Sequence, residues 1–445
     1  MDHSGTGADD LAARSLHAVW HPCTQMKVHE SLPLIPMVAG EGAWLTDAGG
    51  RRYLDAVSSW WVNLFGHREP RINAAIRAQL DRLEHVILAG FTHEPVVQLS
   101  ERLSALTEHA LGHCFYASDG ASATEIALKM SAHYWRNAGR PGKNRFIAVE
   151  GGYHGETLGA LGVTDVEIFR NAYEPLLRAG TTMPSPDARR AEPGEDSFDC
   201  ARRAADALEA HLQAHGDETA AIIVEPLIQC AGGMAMHHSE YVRRVRALCN
   251  RYQVHFIADE IAVGFGRTGS FFAHEQALVR PDFLCLSKGI TGGYLPLSVV
   301  MTTDKIYEAF YDDDAARGFL HSHSYTGNAL ACSAALAVLD IFRQDDVIEA
   351  NYQKAEGFDT LAGRLREDER VAHFRRSGMI WAFDVIDAQP GFARTYMEAA
   401  LREGVLLRPI GNTVYFMPPY VMDFDEWAML VRAARQALDV AVGRN

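Results

Sequence analysis

Residues 254–269 read VHFIADEIAVGFGRTG, and the order of the parts of this stretch decides the fold. A short run that is almost wholly apolar ends at two acids, Asp259 and Glu260, and a glycine-rich stretch follows. Apolar runs of this length are typical of strands in a parallel sheet that is covered on both faces. Ligands bind at the carboxyl ends of such strands, so Asp259 stands where a functional site is expected.

The same alternation of apolar runs and helical patterns continues from about residue 66 to residue 330. The apolar runs are HCFYAS, RFIAVE, AAIIVEP, VHFIADE and FLCLSK. The helical patterns include SATEIALKMSAHYWRNAG and SEYVRRVRALCNRYQ. Together they predict an α/β fold with a mainly parallel sheet flanked by helices. We expect a large domain over residues 66–330, a smaller α+β domain over 331–445, and an N-terminal segment, 1–65, that joins the small domain.

Two local patterns add to this picture. GAWLTDAGGRRYLDAVS predicts a β-hairpin whose turn spans residues 47–50. The stretch 183–199 is rich in proline and charge, so it predicts a surface loop.

Composition excludes several classes of protein. The 445 residues carry a formal net charge of −15, which argues against a nucleic-acid partner because phosphate binding needs a basic surface. No apolar run approaches the roughly 18–20 residues that span a bilayer, so we expect no membrane segment. The seven cysteines are scattered, and the N-terminus lacks a basic region followed by an apolar one. We therefore expect reduced thiols and a cytoplasmic protein.

The glycines from Gly264 to Gly269 match G-x-G-x-x-G, the fingerprint of nicotinamide dehydrogenases. In that fold the glycines follow the first strand directly and open a helix, and an acid comes about twenty residues later. Here two acids precede the glycines, SFFAHEQ after them is a poor helix start, and Asp282 begins a strand instead of ending one. A dehydrogenase is thus the weaker alternative, and glycines that let a loop turn are a simpler explanation.

A second strand end carries the complementary group. Lys288 closes FLCLSK and precedes Gly289. A pyridine aldehyde cofactor needs a lysine for a Schiff base and a carboxylate that keeps its ring nitrogen protonated. Lys288 and Asp259 supply both, although a terminal lysine on its own is more often a solvated surface charge.

Two glycine-containing turns follow other strands. In YASDGASATEIALKM, Asp119, Gly120 and Ala121 form a turn before a helix whose N-terminus favours an anion such as phosphate, although a plain capped helix is an equal alternative. In GGYHGET, Tyr153 offers a flat face for stacking and His154 a polar edge. Taken alone, Tyr153 is equally well explained as a core aromatic residue.

Residues 256–275 and 281–298 together resemble the class III, pyridoxal-phosphate-dependent aminotransferases of fold type I. GGYHGET and IIVEPLIQCAGGM extend the resemblance, which covers residues from about 17 to 440. HPCTQM, SSWWVNLFGH and LLRPIGNTVYFMPPY resemble the branch that converts 8-amino-7-oxononanoate to 7,8-diaminononanoate in biotin synthesis, with S-adenosyl-L-methionine as amino donor.

The resemblance implies the cofactor, pyridoxal 5'-phosphate, and the residues that hold it. Lys288 binds the cofactor and moves the proton, Asp259 pairs with its ring nitrogen, and Tyr153 stacks on the ring. Gly120 and Ala121 offer N–H groups to the phosphate.

The resemblance also implies a homodimer with active sites at its interface. Ser324, in HSHSYTGN, would reach the phosphate of the other subunit's cofactor, and Glu225 would lie near the cofactor's reactive side.

The substrate site implied by the resemblance contains an aromatic wall and a cation. Trp60 would line the slot, and Arg408 would bind the oxononanoate carboxylate with its planar guanidinium. Tyr415 and Arg267 would lie nearby. Trp61 is a weaker candidate for the slot, and both tryptophans are equally compatible with a dimer interface.

The chain departs from the family pattern at Cys23, where an aromatic residue is common, at Glu156, where an aspartate is common, and at the phosphate turn, Ser118 to Ala121. Lysine as donor, or an ω-amino acid or ornithine substrate, therefore stays an alternative, as does a non-catalytic binding protein.

We expect no metal: His321 and His323 flank a serine without the spacing of a zinc motif. We assign no substrate role to His323.

Overall fold

The computed structural model describes residues 8–443, with side chains from residue 10 onward. The strands in chain order are β1 (Met37–Glu41), β2 (Trp44–Asp47), β3 (Arg52–Asp55), β4 (His113–Ala117), β5 (Arg145–Val149), β6 (Thr181–Met183), β7 (Thr219–Val224), β8 (Ile228–Gln229), β9 (Ala235–Met236), β10 (His255–Asp259), β11 (Phe283–Leu286), β12 (Ser298–Thr302), β13 (Val371–Ser377), β14 (Ile380–Val385), β15 (Val405–Leu406) and β16 (Thr413–Phe416).

The helical segments in chain order are α1 (Ala8–Ala18), α2 (Ser58–Trp61), α3 (Pro70–Leu80), α4 (Glu94–Leu106), α5 (Gly120–Asn137), α6 (Leu158–Gly162), α7 (Glu167–Arg170), α8 (Ser197–His215), α9 (Ser239–Tyr252), α10 (Asp304–Glu308), α11 (Ala329–Gln344), α12 (Val347–Leu361), α13 (Gly363–Arg366), α14 (Phe392–Arg402) and α15 (Phe424–Val442). Short 3₁₀ helices span Met26–Glu30, Asn171–Leu176, Ala188–Arg190, Ala273–Ala277, Lys288–Thr291 and Ala315–Arg317. Among the described helices, none is both long and apolar enough to cross a membrane.

The central sheet has seven strands in the order β4-β12-β11-β10-β7-β5-β6. Every neighbouring pair from β11 to β6 is parallel, and β12 runs antiparallel to both β11 and β4. The predicted α/β class, with a mainly parallel sheet between helices, is confirmed. The carboxyl ends of β5, β7, β10 and β11 lie at one edge of this sheet, where the predicted site residues follow them.

Helices cover both faces of the central sheet, which explains why most positions within its inner strands are apolar. Phe256 and Ala258 of β10 belong to the core shared with α8 and α9, whereas Ile257 belongs to the core shared with α5. Successive side chains of a strand point to opposite faces, so a strand between two cores needs an apolar residue at every position.

Two smaller sheets lie outside the central one. The first has the order β1-β2-β3-β15, and its β2–β3 pair is the predicted hairpin, closed by a bond from the N–H of Gly50 to the carbonyl of Asp47. β3 pairs in parallel with β15, which brings the N-terminal strands to residues 405–406. The second sheet has the order β13-β14-β16. The domain division at residues 65 and 330 stays a prediction, and its second boundary falls within the first turn of α11.

The surface-loop prediction for residues 183–199 is wrong at both ends of that stretch. Ser185 and Asp187 are buried, and α8 already begins at Ser197. Arg189 lies between Asp187, at 2.7 Å, and Asp384 of β14, at 3.1 Å. Because each charge has an opposite partner, a charged segment can be buried against the three-stranded sheet.

Candidate active site

A cavity of about 310 Å³ opens at the carboxyl edge of the central sheet. Its wall is formed by Trp61, the start of α5 with its cap at residues 119–121, the loop at residues 153–156, and residues at or just after the ends of β7, β10 and β11. The last group contains Glu225, Asp259 and Lys288. The structure thus places the predicted acid, amine and helix N-terminus around one space.

Asp259 is the last residue of β10 and is buried. Its Oδ2 lies 2.7 Å from Nδ1 of His154, and its Oδ1 accepts a bond of 3.1 Å from the N–H of Ile261. A carboxylate only accepts hydrogen bonds, so Nδ1 of His154 carries the proton. His154 is held in turn, because its backbone N–H donates to the hydroxyl of Thr164 and its backbone carbonyl accepts from the hydroxyl of Thr124 in α5. The sequence pattern identified the acid but not this partner.

Lys288 opens a 3₁₀ helix directly after β11, with its backbone in the left-handed region at φ 46°. A left-handed conformation costs a non-glycine residue about 1–2 kcal/mol, and such strain is concentrated at functional sites. The Lys288 Nζ lies 4.8 Å from the centre of the Trp61 ring. Burial lowers the pKa of the Lys288 amine, although Cys230, Asp259 and Glu225 oppose that shift. A neutral amine is therefore easier to form here than in water.

The start of α5 forms a cradle for an anion. Asp119 caps the helix, with Oδ1 accepting the N–H of Ser122 and Oδ2 its hydroxyl. Gly120 and Ala121 line the cavity, and the first N–H groups of a helix have no carbonyl within the helix to bond. A Cβ at Gly155 would lie 2.5 Å from the Cβ of Ala121, so only glycine lets the loop approach so closely.

Tyr153 and Glu225 form one hydrogen-bonded group beside this cradle. The N–H of Tyr153 donates to Glu225 at 3.0 Å, and the hydroxyl of Tyr153 donates to Glu156 at 2.7 Å. Burial raises the pKa of Glu225 to about 7 despite the opposing effect of His154. Burial, with the bond to Glu156, also raises the pKa of Tyr153. The loop that carries the predicted stacking residue is thus fixed to the end of β7.

These groups fit pyridoxal phosphate, the cofactor that the family resemblance implies. The cofactor needs an amine, a carboxylate that faces its ring nitrogen, and donors for its phosphate. Lys288, Asp259 and the start of α5 supply these groups around the same cavity. Gly155 also lines the cavity, and a side chain at this position would collide with Ala121 of the cradle.

Of two consecutive tryptophans, Trp61 lines the cavity and Trp60 contacts a cation. Trp61 is buried and donates from Nε1 to the hydroxyl of Tyr415 at 3.1 Å. Trp60 is 42% exposed, and the Arg408 guanidinium lies 4.8 Å from the centre of its ring. Stacking uses the flat face of the guanidinium and leaves its N–H edge available for a carboxylate. Trp61, the weaker candidate from sequence, is the one that lines the cavity.

Five predicted site residues are not part of the cavity wall: Trp60, Arg408, Tyr415, Arg267 and Ser324. The first three are linked to Trp61 by the contacts just described, whereas the last two are held elsewhere. Arg267 is fully buried, and its terminal nitrogens donate to the carbonyls of Pro418, at 2.6 Å, and Asn63, at 3.0 Å. Ser324 is exposed, and its carbonyl lies 2.8 Å from Nε2 of His85. The structure does not bring either side chain to the Lys288–Asp259 cavity within this chain. Their substrate and cofactor roles stay predictions.

The glycines of the G-x-G-x-x-G stretch do not form the turn between a strand and a helix that binds a dinucleotide in dehydrogenases. Residues 264–269 form turns after β10, with Gly266 at φ 84° and Gly269 at φ 103°, and no α-helix follows them directly. Across residues 8–443, no group of three or more His, Cys, Asp or Glu is arranged to hold a metal ion.

Comparisons with known proteins bear on this geometry. The family model described as aminotransferase class-III matches residues 25–438. An adenosylmethionine-8-amino-7-oxononanoate aminotransferase from Helicobacter pylori is 45% identical over 97% of this chain and 98% of its own length. The crystal structure of the enzyme of that name from Methanocaldococcus jannaschii is 36% identical, has a TM-score of 0.90, and is matched over 97% of this chain and 99% of that one. A PLP-bound amine transaminase from an uncultivated Pseudomonas species is 31% identical with a TM-score of 0.90, over 95% of this chain and 99% of that one.

Proposed function

The chain belongs to the class-III aminotransferase family, and on that premise we propose that it transfers an amino group from S-adenosyl-L-methionine to 8-amino-7-oxononanoate, giving 7,8-diaminononanoate for biotin synthesis. The observation that carries the proposal is that the Lys288 amine and the Asp259 carboxylate line one cavity. The first group can bind an aldehyde, and the second can hold a positive charge on the ring behind it.

Pyridoxal phosphate supplies the electron sink that lets a C–H bond next to the amine break. Asp259 holds its carboxylate towards the cavity, fixed in rotation by His154 on one oxygen and by the N–H of Ile261 on the other. A fixed negative charge in a buried site stabilises a ring nitrogen cation far better than water does, because no solvent has to reorganise.

Lys288 moves the proton. Since burial lowers its pKa, its Nζ is available as a neutral base that takes the proton from the amine-bearing carbon and later returns it to the cofactor side. The Trp61 ring beside the Nζ excludes water from one face of this path. The same residue therefore acts as base and then as acid without a second titratable group.

Arg408 and Trp60 bind the far end of the acceptor. A nine-carbon amino keto acid presents a carboxylate at the end of an alkyl chain, so it needs an apolar wall and a cation at its tip. Trp60 gives the wall and Arg408 the cation, held together by their stack. Tyr415 lies behind Trp61 and keeps that ring in place.

We place this reaction in a cytoplasmic homodimer. Large apolar side chains that are more than half exposed lie in two neighbouring segments, Ile87 and Phe91 in the first, Leu320 and Tyr325 in the second. The bond between His85 and the carbonyl of Ser324 joins these segments. Apolar patches of this kind support contact with a second subunit, which would carry Ser324 to the partner's cofactor phosphate.

Lysine is the second candidate donor, and Cys23 is the reason. This residue is exposed, and its backbone lies in the left-handed region at φ 51°. It carries a small side chain where the family commonly has an aromatic residue. Ornithine is tested with lysine, since an ω-amino substrate stays the other alternative.

The purified enzyme decides among the donors. S-adenosyl-L-methionine, lysine and ornithine are added separately to the cofactor-loaded protein, and the loss of the visible cofactor band is followed. 8-Amino-7-oxononanoate is then added, and 7,8-diaminononanoate is measured by mass spectrometry. We expect product with S-adenosyl-L-methionine; product with lysine alone would change the donor, and no diaminononanoate with any donor would reject the biotin reaction.

A further inference from the structure

The α2 segment, Ser58–Trp61, is a single left-handed helical turn. Its four residues have φ values of 51°, 45°, 72° and 73°. The N–H of Trp61 donates to the carbonyl of Val57 at 2.9 Å, and that of Val62 donates to Ser58 at 3.0 Å, which is the i to i−4 pattern of a helix. L-residues visit this region singly because the Cβ crowds the following carbonyl, so a run of four needs support from outside the turn.

Asp55 supplies that support. This buried residue ends β3, and both of its oxygens are used by the turn: Oδ1 accepts the N–H of Ser59 at 2.9 Å, and Oδ2 accepts its hydroxyl at 2.7 Å. Oδ2 also lies 3.1 Å from Nε2 of His67. From the other side, the hydroxyl of Ser58 donates to the carbonyl of Met417 at 2.7 Å. The turn is therefore held at two consecutive residues by two different parts of the chain.

The turn presents consecutive tryptophans to two different partners. Trp61 points inward, where its ring lies 4.8 Å from the Lys288 Nζ. Trp60 points outward, where its ring lies 4.8 Å from the Arg408 guanidinium. Because one backbone turn carries both rings, any relaxation of that turn moves the wall beside the amine and the wall beneath the cation together.

We propose that the left-handed α2 turn is a positioning device for the carboxylate substrate, in which Asp55 and Ser59 are positioning residues that fix Trp60 beneath Arg408 and Trp61 beside Lys288. This inference rests on the proposed function, since it assigns to that site the geometry by which a long-chain carboxylate is bound. Asp55 and Ser59 touch neither the amine nor the cation, so they act through the two tryptophans.

Ser59 permits a direct test because its side chain is exposed. Ser59→Gly, Ser59→Ala and Ser59→Val all lose the hydroxyl that donates to Asp55, so differences among them report the backbone. Glycine adopts the left-handed region freely, alanine less readily and valine least. We expect the KM for the keto acid acceptor to rise in the order Gly, Ala, Val, by at least about tenfold across the series.

A binding measurement on the same holoenzyme variants does not depend on turnover. The Kd of nonanoate, a nine-carbon monocarboxylate, is measured by quenching of tryptophan fluorescence, and we expect it to follow the same order. If the wild type binds nonanoate but does not aminate 8-amino-7-oxononanoate, the proposed function is wrong. The order of the nonanoate Kd values across the Ser59 variants would still test whether the α2 turn positions the carboxylate. Absence of saturable nonanoate binding to wild type would overturn the inference.

Gln253 is the matched control. It is an exposed left-handed residue at φ 52°, it ends α9, and its side chain also makes one hydrogen bond, to Arg140. The Gly, Ala and Val series at Gln253 should lower the melting temperature from Gly to Val without moving the KM or the nonanoate Kd. Equal KM and Kd values across the Ser59 series, with a melting temperature that falls as it does at Gln253, would show that the turn is only structural.

Discussion

Nδ1 of His154 lies 2.7 Å from Oδ2 of Asp259, and both side chains are almost completely buried. This contact joins the loop after β5 to the end of β10 and fixes the rotation of the acid that faces the cavity. The next residue along the chain forms a second buried pair: Nδ1 of His274 lies 2.7 Å from Oε1 of Glu260. The two adjacent acids are thus held alike, but only Asp259 lines the cavity.

Asp259→Asn removes the charge behind the cofactor ring and keeps the shape of the side chain. We expect kcat to fall by about 10²–10³-fold, the usual loss when one electrostatic contact to a developing charge is removed. Steady-state kinetics with saturating cofactor measure this effect. Glu260→Gln is the control: it should lower the melting temperature but keep kcat within about threefold, since its partners are His274 and backbone N–H groups. Equal losses of kcat in both variants would show that Asp259 acts only through folding.

Arg408→Met removes the cation expected to bind the acceptor carboxylate. A hydrogen bond to a charged group contributes about 1.5–3 kcal/mol, so the KM for the keto acid acceptor should rise by about 10–150-fold. The rate at which the amino donor bleaches the cofactor band should change far less, because the donor's reacting carbon lies at the Lys288 end.

Arg52→Met is the matched control for this prediction. Arg52 is also an exposed arginine, with its guanidinium 4.4 Å from the centre of a tryptophan ring, that of Trp44. The difference is that Trp60, the partner of Arg408, adjoins the cavity-lining Trp61, whereas neither Trp44 nor its sequence neighbours line the cavity. It should leave the KM unchanged. A KM that rises equally in both variants would contradict the assigned role of Arg408.

His255 predicts how stability depends on pH. Burial lowers its pKa to about 4, against an ordinary value of 6.5. Between these values the unfolded chain binds the proton and the folded chain does not, so stability is lost as the pH falls from 6.5 towards 4, by up to about 3 kcal/mol. His255→Gln should therefore show a smaller drop in melting temperature between pH 7.5 and pH 5. A drop as large as that of wild type would reject this assignment.

The sequence predicts β10 and β11, the strands that lead to Asp259 and Lys288, because packing between two cores gives them a nearly continuous apolar pattern. Phe256 and Ile257 face different cores, so the run into Asp259 is apolar throughout, and the same holds for the run into Lys288. Strand ends are then readable as the edge of a parallel sheet. The residues expected there do line one cavity.

Two other features leave no comparable pattern in the sequence: contacts between distant segments, and the backbone angles. His154 and Asp259 are 105 residues apart, and only the fold shows that the histidine holds the acid. Nothing in SSWW signals four left-handed residues, because serine and tryptophan prefer right-handed or extended backbone, and the contacts from Asp55 and to Met417 are visible only in the fold. Charge pairing across the chain likewise buries Asp187, which composition assigns to the surface.

The central claim is that Lys288 binds the cofactor and moves the proton. The most direct measurement reduces the yellow holoenzyme with borohydride, digests it, and finds the modified lysine by mass spectrometry. We expect a single pyridoxyl label on Lys288, and we expect Lys288→Ala to be unlabelled and to turn over at least about 10³-fold more slowly. A label on another lysine, or a Lys288→Ala variant that keeps normal turnover, would contradict it.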